Sequence, residues 1–292
     1  MKPTYIAYAQ NELTEHIIYG KLAAIEKRSE NKALLLKLSA QEKSHYEFWR
    51  TLVPDSEIKP RSFGIFVIPA LRRVLGITFT IKFLESHEKN AVGRYQAILP
   101  HIPPSHRAQF ETIIKDEQFH EQSFIAQVKE KRIAYLGFIA LGLADAIVEI
   151  TGVHAGFLGV TGSTLVAGIS GVIVGFAAAI SMGSASYLQA KQDPDKSAVV
   201  SAFATGISYL FSVILLALPY FLIAAMLPAF ILSTSVGIIL LAGFTFYGAV
   251  VFDRTFLREF GESVGLMLGT ALATFMLGTA VGKVFHVNSK SF

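Results

Sequence analysis

The chain has 292 residues, 26 Lys and Arg against 22 Asp and Glu, a net charge of +4 and 52% hydrophobic residues, with a mean hydropathy of +0.48. It contains no cysteine, so disulfides, thiolate zinc sites and iron–sulfur clusters are excluded, and a metal would have to be held by carboxylate, imidazole or thioether. No basic cluster is interleaved with aromatics, so the small positive charge argues for contact with a membrane surface and against a nucleic-acid partner.

Residues 1–132 hold nearly all the charge and read as helices. A first helix is expected from about Thr4 to Ser29, because Ile6, Leu13, Ile17, Leu22 and Ile25 recur at roughly helical spacing. Asn31 punctuates a short connection, a second helix runs from about Lys32 to Leu52, and Pro54 and Pro60 bracket a break. Residues 61–82 are strongly apolar yet carry Arg72, Arg73 and Lys82, and Pro69 interrupts them. Too interrupted to span a bilayer comfortably, they read as a crossover packed on the bundle or on a second subunit, or as an interfacial element with arginines at the headgroups. The interfacial reading is favoured because a membrane-embedded segment follows. A third helix covers about Thr78 to Leu99, and Pro103-Pro104-Ser105 opens a fourth. Helix pairs joined by a crossover make a four-helix bundle. The N-terminus lacks an apolar stretch of signal-peptide length before the first charged helix, so this half is expected to stay on the cytoplasmic side.

Two Glu-x-x-His motifs, Glu42-Lys-Ser-His45 and Glu117-Gln-Phe-His120, lie inside these helices, with Glu12 upstream of the first and Glu85 and Glu88 upstream of the second. Residues i and i+3 share a helix face, so each motif aims a carboxylate and an imidazole at one point. Two motifs with a glutamate from each of two further helices form the inward ligand set of di-iron bundles. Five carboxylates and two imidazoles suffice for two ions, and hard oxygen donors with a few imidazoles suit iron or manganese.

From Ile133 the chain turns Gly-, Ala-, Ile- and Leu-rich. Five segments, about 134–158, 164–188, 198–219, 230–252 and 263–285, are each long enough to cross a bilayer. Lys129, Lys131 and Arg132, then Lys191 and Lys196, then Arg254 and Arg258 fall on one side, matching a cytoplasmic N-terminus; Lys283 and Lys290 fit less well. Asp145 and Glu149 are i, i+4 within the first span, where acids are costly and mark an ion pathway. Met182 in the second span offers a soft thioether, and Gly168, Gly171, Gly175, Gly265 and Gly269 would let helices approach closely.

On the paired motifs and upstream glutamates, residues 1–132 resemble a rubrerythrin/erythrin-type ferritin-like domain. The resemblance implies that Glu12, Glu42, His45, Glu85, Glu88, Glu117 and His120 hold a di-iron centre, with Glu15 a rival for Glu12. A rubredoxin-like tail would need cysteines. On Gly142-Leu-Ala-Asp-Ala-Ile-Val-Glu149 and Ser181-Met-Gly183 followed by Tyr187, residues 133–292 resemble the vacuolar iron transporter family. That resemblance implies a five-span homodimer moving Fe²⁺ out of the cytosol in exchange for protons, along Asp145, Glu149 and Met182. Ser186 precedes Tyr187 where the family often has glutamate, and only a short loop, about 189–197, replaces the glutamate-rich region of plant members. The ferritin-like half would then take over capture of the ion. Together the halves resemble the membrane-bound ferritin fusions. The expectation is an all-α, multi-pass iron exporter of the cell membrane, without catalytic residues beyond any ferroxidase or peroxidase chemistry of the bundle. Rival readings are a membrane-anchored di-iron oxidase or peroxidase, and the same transporter with manganese as main cargo.

Overall fold

The computed structural model of the protein describes residues 2–88, 91–127 and 133–285, apart from the side chains of residues 87, 88 and 119–127. Every described element is a helix, and the chain divides into two compact units, Met1–Glu130 and Lys131–Phe292.

In the first unit α1 (Lys2–Ile25) and α2 (Ser29–Leu52) pair along their length. Their inner faces follow a four-three spacing: Tyr5, Ala9, Glu12, Tyr19 and Ala23 on α1, and Asn31, Leu35, Leu38, Glu42, His45 and Trp49 on α2, are all buried. That spacing keeps one stripe of each helix facing its partner. The expected apolar face of α1 is corrected here, since Leu13 is only half-buried while aromatic, small and acidic residues fill the inner stripe. The turn also differs from expectation. Asn31 is 3% exposed inside α2, and the connection is made by Glu26, whose carboxylate accepts the backbone N–H groups of Lys27 and Arg28 at 2.9 Å and pairs with Arg72.

Helix α3 (Ser62–Glu88) is two helical pieces joined at Gly76, which has φ 85° and ψ 170°. A side chain is strained there, so glycine lets the chain change direction. Then come α4 (Ala91–Ile98), two short 3₁₀ turns and α5 (Arg107–Gln127). Two apolar clusters form the interior. One joins α1, α2 and α3 through residues such as Tyr19, Leu35, Leu38, Ile65 and Ile81. The other gathers Tyr5, Phe48, Trp49, Tyr95 and Phe110 from α1, α2, α4 and α5, with the Trp49 and Phe110 rings 5.2 Å apart.

The second unit consists, after a 3₁₀ turn, of α6 (Leu136–Val160), α7 (Thr164–Ala190), α8 (Ala198–Leu222), α9 (Met226–Phe252) and α10 (Phe256–Val284). Helix α6 is central and packs on all four others. Ser163 and Ser197 cap α7 and α8 by accepting from Val166 N–H and Val200 N–H. The unit is apolar outside as well as inside: Ile173, Phe203, Ile207, Leu266 and Leu272 are each more than 60% exposed. Such a surface is stable in hydrocarbon and not in water. Its interior is held by polar contacts, including Ser186 to Thr205 at 2.7 Å and Thr205 to the Phe138 carbonyl at 3.1 Å.

Among the described residues, six helices are long and apolar enough to cross a membrane: Ser62–His101 and the five of the second unit. The first of these runs across residues 89–90, which lie outside the described residues, and contains the Gly76 break.

Glycine permits the closest approaches around α6. A Cβ on Gly278 of α10 would lie 2.1 Å from the Gly156 carbonyl oxygen, and one on Gly142 would lie 2.3 Å from that of Thr205. Backbone cannot yield as a flexible side chain does, so Gly278→Ala should lower the melting temperature of the purified protein and reduce its yield, as overpacking costs about 1–3 kcal/mol. Gly269→Ala is the control, because nothing lies within 4 Å of its Cβ. The same distances separate the glycines expected at close crossings: a Cβ on Gly168, Gly171 or Gly175 would meet a neighbouring helix within 3.0 Å, whereas one on Gly265 or Gly269 would meet nothing of this chain within 4 Å.

Candidate metal centre

The two apolar clusters of the first unit meet where the inner stripes carry acids. Glu12 sits between Ala9 and Tyr19 on α1, Glu42 and His45 between Leu38 and Phe48 on α2, and Glu117 follows Phe110 and Ile113 on α5. All four are buried, at 1–6% exposure. Their ligand atoms lie within 4.8 Å of one another. The His45 Nδ1 faces three carboxylates, Glu117 at 3.2 Å, Glu42 at 3.4 Å and Glu12 at 3.6 Å. A single Nδ1–H can serve one of these acceptors well, whereas a cation at their centre would serve all three. The donor set therefore fits a metal ion, and three carboxylates to one imidazole is a hard set.

Neighbouring groups hold the clustered side chains in place. Tyr95 O–H donates to Glu12 Oε1 at 2.5 Å, and Asp116 Oδ2 lies 3.7 Å from His45 Nε2. Asp116 thus faces the imidazole from the side opposite the cluster, as carboxylates beyond a ligating histidine do. Neither Tyr95 nor Asp116 figured in the sequence reading. Tyr95 carries no motif, but Asp116 directly precedes a motif glutamate and could have been noticed. Glu85 is buried and accepts from Tyr19 O–H at 3.1 Å, but does not join the four clustered groups. The side chains of Glu88 and His120 lie outside the described residues. A cavity of about 470 Å³, lined by Glu12, Glu15, Tyr95, Glu117, Arg61 and Arg94 among others, connects the cluster to the surface of the unit.

The electrostatics follow from burial against charge. Burial alone would lower the His45 imidazole, but hydrogen bonding to Glu117, Glu12 and Glu42 and the charge of Glu42 raise it well above its ordinary range. Burial pushes the Glu117 carboxyl up, and the neighbouring Glu12 and Asp116 charges add to that. For Glu12, burial pushes upward too, but His45, Glu42 and Tyr95 together hold it below the usual value. His45 is therefore protonated at neutral pH in the metal-free cluster, and a ligated histidine must be neutral. Metal binding should release at least one proton, and apparent affinity should rise with pH. Calorimetry in buffers of different ionisation enthalpy checks this; binding without proton release would contradict the placement of His45 as a ligand.

In the second unit Asp145 and Glu149 are half-buried on α6. Tyr209 of α8, itself fully buried, donates to Glu149. Glu149 lines a groove of about 460 Å³ with Gly152, Gly156, Thr270 and Thr274 on α6 and α10. Met182 packs at the edge of the apolar cluster that includes Ala146, Ile147, Ile150 and Tyr209. The role of Tyr209 was not legible, because nothing in the sequence links it to a glutamate sixty residues earlier.

No protein-family model, curated protein or solved structure matches the chain.

Proposed function

We propose that the protein is a multi-pass membrane exporter of Fe²⁺ whose ferritin-like first unit collects the ion on the cytoplasmic side. The observation that carries the reading is the buried group of Glu12, Glu42, His45 and Glu117 on a chain that also bears helices of membrane-span length with acids inside them. In this reading the first unit is a four-helix di-iron bundle, with Glu85, Glu88 and His120 completing the ligand set. A di-iron centre bound there would supply redox exchange with dioxygen or peroxide. The chain's own residues bind and neutralise: three carboxylates offset the cation's charge, Tyr95 steadies Glu12, and the surrounding aromatic cluster limits water.

The second unit is read as five spans, with α3 lying outside the hydrocarbon because Gly76 breaks it. Lys191 and Lys196 follow α7, Arg254 and Arg258 follow α9, and the connections 161–163 and 223–225 carry no Lys or Arg. The positive-inside rule then sets the first unit in the cytoplasm of a cell-membrane protein. Asp145 and Glu149, with Met182 nearby in the reading, form the ion path, and their carboxylates exchange metal for protons.

One pair of acids provides few oxygen ligands, and a two-fold axis doubles them, so a homodimer is expected. Gly265 and Gly269 are exposed on α10, and a Cβ at either would meet nothing of this chain within 4 Å, which leaves room for a second helix. Native mass spectrometry in mild detergent should show a dimer; monomer alone would count against it. Proteoliposomes loaded with a metal-sensitive dye test the function itself. Uptake of Fe²⁺ in preference to Mn²⁺, with counterflow of protons, is the expected result. Equal or greater Mn²⁺ uptake would make manganese the cargo. Sustained turnover of O₂ or peroxide without transport would leave a membrane-anchored oxidase.

A further inference from the structure

Among the described residues of the first unit, the exposed large apolar side chains are Leu36, Phe63, Phe66, Leu71 and Val74, and all but Leu36 fall in the first half of α3. Phe63 is 79% exposed, Phe66 71% and Val74 76%. At helical spacing Phe63, Phe66, Ala70 and Val74 make one stripe, while Ile65 and Ile68 on the opposite face pack into the core. Basic groups border the stripe. Lys21 of α1 places its ammonium 4.6 Å from the Phe66 ring centre, and Arg61 and Arg73 are exposed. No acid occurs between Glu57 and Glu85, a stretch carrying Lys59, Arg61, Arg72, Arg73 and Lys82.

We propose that this half of α3, residues 62–75, is a bilayer-docking surface that lays Phe63, Phe66 and Val74 into the acyl boundary of an anionic leaflet, with Lys21, Arg61 and Arg73 at the lipid phosphates. Its length, about 20 Å at 1.5 Å per residue, is short of a hydrocarbon core of about 30 Å, so the segment lies in the interface and does not cross it. Charge selects lipid over a second copy of the chain. Two copies meeting through this face would bring two basic borders together, whereas anionic headgroups neutralise them. The inference rests on the second unit being embedded in a bilayer. Tethering then supplies a high effective lipid concentration, under which a short interfacial helix suffices.

The absence of cysteine makes the test clean, since a single introduced thiol takes the only label. Full-length Phe63→Cys, Val74→Cys and, as an aqueous reference, Glu47→Cys are labelled with bimane and reconstituted in vesicles of phosphatidylcholine and phosphatidylglycerol with brominated acyl chains. Phe211→Cys on α8 reports separately on the membrane unit; its label should be quenched, and if it is not, the bilayer reading of that unit fails. With Phe211→Cys quenched, labels at 63 and 74 should be quenched to similar depth and the label at 47 should not. Reversing Lys21 and Arg73 together to Glu should weaken docking at least about 30-fold, and phosphatidylcholine alone should weaken it too. An unquenched label with blue-shifted emission means that protein, a second copy of the chain, covers the face, and overturns the proposal. An unquenched label with water-like emission overturns it equally, and strong quenching at only one of the two positions would make the segment a span.

Discussion

The Glu42→Ala, Glu117→Ala double variant should fold, retain its helix content and bind metal in the first unit more than about 100-fold more weakly, since even outer-sphere partners of a metal are each worth about 10- to 100-fold. Three carboxylates surround the His45 Nδ1 in the unmodified protein, and the double variant leaves only Glu12. The sharper expectation concerns stability without metal. Glu12, Glu42 and Glu117 are buried carboxyl groups crowded round one imidazole, and among the described side chains of the cluster His45 is the base that offsets them. Taking away two carboxylates leaves the pair of Glu12 and His45, whose charges balance, so the metal-free variant should melt no lower than the metal-free parent. His45→Ala removes one donor where the double variant removes two, but it leaves three acids without the imidazole that offsets them, and should melt lowest of all. Metal added at about 100 times its dissociation constant should stabilise the parent by about 2.7 kcal/mol and leave both variants nearly unmoved. Metal content per folded protein, with circular dichroism and thermal melts, reads all three. Retention of two ions per chain in the double variant would overturn the metal centre.

The same cluster shows what could be read from the chain and what could not. Glu12, Glu42, His45 and Glu117 were legible because their spacing carries the chemistry: i, i+3 on one helix and matching acids upstream. In the structure they also stand out as burial anomalies, at positions 12, 42 and 45 of stripes filled mostly by Tyr, Ala, Leu and Trp, but the α1 stripe is not the apolar face expected from its sequence. Tyr95 and Tyr209 were not legible, because a hydroxyl reaching a carboxylate across eighty or sixty residues is a product of packing and leaves no local pattern. Helix limits failed where side chains substituted for expected signals. Asn31 has the composition of a turn but is buried within α2, while the turn itself is organised by Glu26, a residue with no turn preference of its own. The Gly76 break could have been suspected from a lone glycine in an apolar run, yet Pro69, the stronger breaker by composition, sits inside helix. The five apolar helices of the second unit follow from length and hydropathy alone. Which glycines lie at crossings does not: Gly278 and Gly142 are in tight contact and Gly269 is not, and the three look alike in sequence.

In proteoliposomes, Asp145→Ala with Glu149→Ala should reduce Fe²⁺ uptake to the background of empty vesicles while leaving metal in the first unit unchanged. Removing both acids leaves α6 apolar through its centre, and a charge at the middle of a span costs about 2.5–3.5 kcal/mol even on lenient insertion scales. At about 1.4 kcal/mol per tenfold, losing that compensation corresponds to a fall of about 60- to 300-fold. The structure adds a graded control. Tyr209 donates to Glu149 from a position with no solvent exposure, so Tyr209→Phe keeps the ring and its packing but loses the bond that aims the carboxylate. That variant should retain transport with a raised half-saturation concentration, since the acid persists but is no longer held. Glu149→Gln separates charge from shape: if protons move against iron through this carboxylate, uptake and proton counterflow should disappear together, and the amide should not rescue either. Undiminished uptake by the double alanine variant, in vesicles where the parent transports, would remove Asp145 and Glu149 from the ion path and leave the groove beside Glu149 as packing alone.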